Sequence, residues 1–276
     1  MNFAFTRLLL ATEHTEFDVG AERVAFELAR QRAVPLAAVL PFVSNVEYET
    51  VAPEAVTRAE QNVFARITQL QGVAQAAGVA FDIRVRRGDE PYREIIAEAQ
   101  ACGADLVIAR RRGKRGIFAN LMVGEMVGKV ATHAPCSVLL VPRAGRVWTQ
   151  RVLAAVDDSR AAANVAETAA RVAVEADLPL LVVCVATRDT QEQRAAADTV
   201  VADAIIGARN VGAAVEGRVV VGRVAEEIIK VAAESGADLL VVGRGGTGGH
   251  GHRFGLGGTA HRIIGLAECP VLVVKN

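Results

Sequence analysis

The segment REIIAEAQACGADLVIARRRG (93–113) realigns on EEIIKVAAESGADLLVVGRGG (226–246) at an offset of 133 residues. The same offset carries GEMVGKVATHAPCSVLLVPR (124–143) onto GGTAHRIIGLAECPVLVVKN (257–276) without a gap. The starts align as well, TRLLLATE (6–13) on QRVLAAVD (150–157), but at an offset of 144. The first copy is therefore longer by the difference, about eleven residues, expected in the polar stretch around Ser44 to Glu60. A chain repeated on this scale builds one fold twice, because each copy holds a full set of apolar segments. The 276 residues suit two domains of ordinary size, 1–145 and 150–276, joined near RAGRVWTQ (143–150).

Within the second copy VLAAV, PLLVVCV, AAVEGRVVV, DLLVV and PVLVV read as strands. Between them Ser159–Asp177, Thr190–Asn210 and Val224–Ser235 carry apolar residues at helical spacing. Runs such as LLVVCV are apolar without alternation, as strands covered on both faces must be. The pattern predicts an α/β chain made of two copies of a five-stranded parallel, Rossmann-like sheet with helices on both faces. The closing strands SVLLVPR and PVLVVKN are candidate edges, free to pair with each other or with another chain.

Composition narrows the function classes. Just over half of the residues are hydrophobic, so each copy can bury a core. Lys and Arg balance Asp and Glu at 31 each, and aromatic residues are only 4%. That argues against a polyanion-binding surface and against single-strand nucleic-acid stacking. The run Arg110-Arg111-Arg112-Gly113-Lys114-Arg115 is a local exception. The cysteines Cys102, Cys136, Cys184 and Cys269 lie far apart, which predicts small buried roles in preference to disulfides or zinc. The opening MNFAFTRLLLATEH is too short for a signal or membrane segment, so a cytoplasmic protein without membrane contact is expected.

The chemistry concentrates in GRGGTGGHGHRFGLGG (243–258), which follows DLLVV and so falls at the carboxyl edge of the sheet. In open parallel sheets ligands bind there. Gly243 and Gly246 are separated by two residues, and ten more precede Gly257-Gly258-Thr259 at the start of the last helix. Glycines let backbone N–H groups approach a phosphate, and a helix start offers free N–H groups and a favourable dipole. Thr259 adds a hydroxyl as cap or phosphate donor. A flexible surface loop without a ligand is the alternative. His250 and His252 lack neighbours to complete a zinc shell.

These residues resemble the universal stress protein family, whose ATP-binding members carry G-x2-G-x9-G-[ST] after the fourth strand. The resemblance spans VVGRGG…GLGGTAHRII…CPVLVV, with VLAAVDDS as the first strand and acidic turn, and it covers nearly the whole chain twice. It implies an adenine nucleotide α-hydrolase-like fold, a stress-response role and an ATP site in the second copy. Ala155 and Val185 would line adenine, and Asp157 would hold ribose or a Mg²⁺ ion carried with ATP. Val242, Gly243, Gly245 and Gly246 would approach ribose and phosphates, while Gly257, Gly258 and Thr259 would hold the phosphate chain. Arg244 or Arg253 would add a charge-assisted contact. Two departures stand out: the spacing is ten rather than nine, and Gly258 replaces Ser or Thr. A second register, Gly245-x2-Gly248-x9-Gly258-Thr259, fits the pattern literally and stays open.

The first copy is a poorer site. Arg110 stands where Gly243 does, Glu13 where Asp157 does, Pro41 where Val185 does, and Gly124-Glu125 where Gly257-Gly258 do. Its basic turn could attract another anion or pair with Glu125. Asp157 could equally cap the helix beginning at Asp158-Ser159. No GxSxG or Ser-His-Asp set is present, so dedicated catalysis is not expected, with slow ATP hydrolysis or phosphotransfer left open. The expected function is nucleotide-dependent choice of conformation or protein partner. An interaction scaffold with decayed sites is the alternative. The resemblance also implies a pseudo-dimer within the chain, its final strands apposed, with further homodimerisation possible.

Overall fold

The computed structural model describes residues 4–43, 53–111, 125–245 and 256–275. The first repeat runs β1 (Leu8–Ala11), α1 (Val19–Arg32), β2 (Leu36–Val43), α2 (Pro53–Ala77), β3 (Phe81–Gly88), α3 (Pro91–Ala101), β4 (Leu106–Arg110), α4 (Glu125–His133) and β5 (Ser137–Val141). The second runs β6 (Val152–Val156), α5 (Ala162–Ala176), β7 (Leu180–Ala186), α6 (Gln191–Asn210), β8 (Val215–Val221), α7 (Val224–Ser235), β9 (Leu239–Gly243), α8 (Gly258–Leu266) and β10 (Val271–Val274).

All ten strands join one sheet in the order β3-β2-β1-β4-β5-β10-β9-β6-β7-β8. Every pairing is parallel except the central one, where β10 runs antiparallel to β5 with Val271 opposite Leu140 and Val273 opposite Val138. The two closing strands thus pair with each other and remove both of their open edges.

Strand residues alternate between two cores. Leu8, Leu10, Leu106, Ile108, Val152 and Ala154 pack beneath α1, α2, α5 and α6. Leu9, Val107, Val138, Leu153, Val271 and Val273 pack beneath α3, α4, α7 and α8. Period-two alternation with both faces covered is why the strands read as continuous apolar runs.

The repeated CGAD and SGAD tetrads have a structural cause, local for the glycine and long-range for the aspartate. Gly103 and Gly236 adopt positive φ, 62° and 68°, where α3 and α7 end. The following aspartates then fasten the first strand of their own repeat. Asp105 accepts the N–H groups of Thr6 and Arg7, and Asp238 those of Thr149, Gln150 and Arg151.

Two boundaries differ from expectation. α5 begins at Ala162 and not at Ser159, because Asp157 Oδ1 accepts the Ser159 N–H and holds a turn there. The extra length of the first repeat lies partly in α2, which has 25 residues against 20 in α6. Of the polar stretch, 44–52 lies outside the described residues.

Candidate nucleotide site

In the second repeat the chain leaves β6 toward α5 on one face and leaves β9 toward α8 on the other. The two strands are neighbours, paired from Val152 with Leu239 to Ala154 with Val241. This is the switch point of a doubly wound sheet, where such folds form their ligand crevice beyond the carboxyl ends of the strands. Ala155, Asp157, Val242 and Gly243 sit at its rim, and Val185 stands at the same end of β7. Ala155 and Val185 are half-buried, as surfaces for a flat apolar ring would be.

The helix start is equally well placed. Gly257 precedes α8 as its N-terminal cap residue, with Gly258 and Thr259 in the first turn, both exposed. The first N–H groups of a helix have no partner within it, so this turn presents donors and a positive dipole end. Gly257 is the exception, since its N–H donates to the Arg244 carbonyl at 2.9 Å. The cap position is held by Gly257, which has no side chain, and Thr259 lies inside the first turn of α8. A Cβ added at Gly258 would meet open space. At Gly243 it would lie 3.3 Å from the Gly245 carbonyl oxygen and 3.4 Å from Val165 Cγ2. Gly246, Gly248, His250, His252 and Arg253 lie outside the described residues, so both glycine registers remain in play.

The first repeat closes the same crevice with its own side chains. Arg110, whose side chain is 5% exposed, donates to Asp18 at 2.8 Å, to Glu13 at 3.0 Å and to the Thr15 hydroxyl at 3.1 Å. Asp18 is 1% exposed. Arg110 is engaged by carboxylates from the β1–α1 turn, where Glu13 replaces Asp157. Residues 112–115 of the basic turn and the Glu125 side chain, expected to pair or to attract another anion, lie outside the described residues. Asp18 left no signal because its counterpart in the repeat is Ala162. Nearby, Thr12 Oγ1 donates to Glu22 at 2.6 Å, and His14 Nδ1 lies 3.0 Å from the same carboxylate oxygen.

Arg244 corrects another expectation. Its guanidinium turns away from the crevice and crosses to the first repeat, donating to the carbonyls of Thr132 (3.2 Å) and Cys136 (2.8 Å) at the end of α4. Burial pulls its pKa below the usual arginine value. Its repeat counterpart Arg111 crosses the other way to the carbonyls of Ile264 (2.7 Å) and Ala267 at the end of α8. Beside this seam the Thr132 hydroxyl accepts the Leu256 N–H at 3.1 Å.

Cys136 and Cys184 are buried and Cys269 is half-buried, and burial pushes all three thiols up to about 11. Cys102 is exposed, contrary to the buried role expected of it, because it follows the last turn of α3. His133 is exposed and His261 half-buried. A cavity of about 360 Å³ opens at the opposite, amino edge of the sheet between Leu8, Leu36 and Phe81. It is remote from any switch point. No group of three or more candidate metal ligands, and no helix long and apolar enough to cross a membrane, occurs among the described residues.

Comparison with known proteins agrees with this architecture. A universal stress protein from Archaeoglobus fulgidus DSM 4304 superposes with a TM-score of 0.78 at 20% identity, covering 99% of this chain and 98% of its own. One from Pseudomonas aeruginosa UCBPP-PA14 superposes at 0.63 and 21% identity, over 98% and 93%. The universal stress protein MJ0531 of Methanocaldococcus jannaschii is 48% identical over 52 residues, which is 19% of this chain and 30% of that protein. The sequence profile of the universal stress protein family matches twice, over 4–142 and 149–275. The chain belongs to the universal stress protein family, as a tandem of two of its domains.

Proposed function

We propose that this chain binds an adenine nucleotide, ATP together with Mg²⁺, at the carboxyl edge of its second repeat. The observation that carries this reading is the contrast between the two crevices. In the first, the Arg110 guanidinium lies among Glu13, Asp18 and Thr15. In the second, Gly243 holds no side chain in that place, and the α8 turn at Gly258 and Thr259 is exposed. An anion with an apolar ring fits that set of groups: ring surfaces at Ala155 and Val185, and donors from the helix start. Asp157 would hold the Mg²⁺ ion, its carboxylate oriented by the Ser159 N–H. Family membership supports a stress-response role in which the bound nucleotide selects a conformation or a protein partner.

A second reading, a nucleotide-independent scaffold, draws on the commitment of the Gly257 N–H to Arg244 and on the missing hydroxyl at Gly258. Calorimetric titration of the full chain with ATP and Mg²⁺ separates the two. Saturable binding with one nucleotide per chain is expected. Silence at millimolar nucleotide would leave only the scaffold.

A further inference from the structure

The two ends of the segment between β9 and α8 share one anchorage, and it belongs to the other repeat. At the near end, the Arg244 guanidinium holds the Thr132 and Cys136 carbonyls of α4 and the turn after it. At the far end, the Leu256 N–H donates to the Thr132 hydroxyl. The Arg244 carbonyl then accepts the Gly257 N–H, tying the two ends to each other. Thr132 therefore touches both ends, by its carbonyl and by its hydroxyl.

The arginine half of this arrangement is symmetric. The hydroxyl half is not. Arg111 reaches the end of α8 as Arg244 reaches the end of α4, but the repeat counterpart of Thr132 is Gly265, which has no side chain to offer. The asymmetry runs in the same direction as that of the crevices. The repeat in which Arg110 fills the strand end supplies the hydroxyl, and the repeat with Gly243 in that place receives it.

We infer that Thr132, on the first repeat, is a positioning residue for the phosphate-binding turn of the second, so that the second site is complete only when the two repeats are docked. The inference rests on the nucleotide-binding reading above. The Leu256 amide immediately precedes Gly257, Gly258 and Thr259, and holding it fixes the direction in which the first turn of α8 presents its donors. A hydroxyl lost here misaims that turn without touching the ligand. By linkage, a ligand bound at the turn strengthens the contact between repeats to the same degree.

The test compares Thr132→Val, which keeps the shape and loses the acceptor, with Thr132→Ser, which keeps the acceptor. Two measurements are made on the full chain: Mg-ATP affinity, and amide hydrogen exchange at Leu256 without nucleotide. The expected result is faster Leu256 exchange and about tenfold weaker binding in Thr132→Val, as for one lost hydrogen bond. Thr132→Ser restores both, which a loss of general packing would not allow. Unchanged affinity in Thr132→Val overturns the inference. If the unsubstituted chain ignores nucleotide altogether, the binding reading falls instead, and exchange alone decides the anchorage: faster exchange supports it and unchanged exchange overturns it.

Discussion

Arg111 and Arg244 occupy the same position in the two repeats, and each caps the final helix of the other repeat. Arg244 donates to Thr132 and Cys136, and Arg111 to Ile264 and Ala267. The last carbonyls of a helix lack partners within it and form the negative end of its dipole, so a cation supplied there satisfies both needs. Arg244→Ala and Arg111→Ala are each expected to destabilise the chain by about 1–3 kcal/mol, the scale of a lost charge-assisted hydrogen bond. Lysine is expected to recover only part, since it lacks the planar fork. Urea denaturation measures both; wild-type stability in either alanine variant contradicts the capping role.

The self-closure of the first crevice can be transplanted. Gly243→Arg places a guanidinium near Asp157 as Arg110 lies near Glu13, with the added Cβ in close but not overlapping contact. Nucleotide binding is expected to fall below detection by calorimetry while the circular dichroism spectrum stays that of the parent chain.

The reverse change is expected to fail. Arg110→Gly leaves Asp18, 1% exposed, without its cation. Breaking one side of a buried pair typically costs about 3–5 kcal/mol. Thermal unfolding should show the loss, and no gain of nucleotide binding in the first repeat is expected while its carboxylates remain.

Gly258→Ser restores the hydroxyl that the family pattern carries. The added Cβ meets open space, and glycine in a helix costs about 0.5–1 kcal/mol relative to a residue with a side chain. A higher melting temperature and tighter Mg-ATP binding are expected together. Weaker binding would indicate that the phosphate chain approaches this turn too closely to admit a side chain.

The buried thiols set an alkaline limit. Burial raises Cys136, Cys184 and Cys269 from 9.0 to about 11 in the folded chain, because a thiolate there would lose its water. A raised folded-state pKa means that the associated stability is complete below pH 9 and is lost as pH climbs from about 9 to about 11. Denaturation midpoints measured across that window should fall, and Cys184→Ala should flatten part of the decline.

The repeat, the strand runs and the carboxyl-edge location of the glycines were all legible in the sequence. Each shows as a pattern within about twenty residues, such as the repeated GAD triad, whose glycine ends a helix locally while its aspartate reaches back to the first strand of the repeat. The partners of Arg244 were not legible. Arginine at 111 and 244 is matched by the repeat, yet beside a glycine-rich turn it reads as a phosphate ligand. Only the antiparallel meeting of β5 and β10 brings it to an acceptor 112 residues away. Asp18 was missed for a related reason: its partner Arg110 lies 92 residues off, and charge pairing at that range has no periodicity to reveal it. The start of α5 was misplaced because Asp157 forms a turn with Ser159 where a helix cap was anticipated.

The pairing of β5 with β10 also fixes how the protein responds to dilution. An interface between separate chains is populated according to their concentration, whereas here both strands belong to one polypeptide and meet at a constant effective concentration. The alignment of α8 by Thr132 is thereby independent of how many copies of the protein a compartment holds. Any affinity that depends on this alignment is then expected to be the same at every protein concentration, which titrations at two chain concentrations would check.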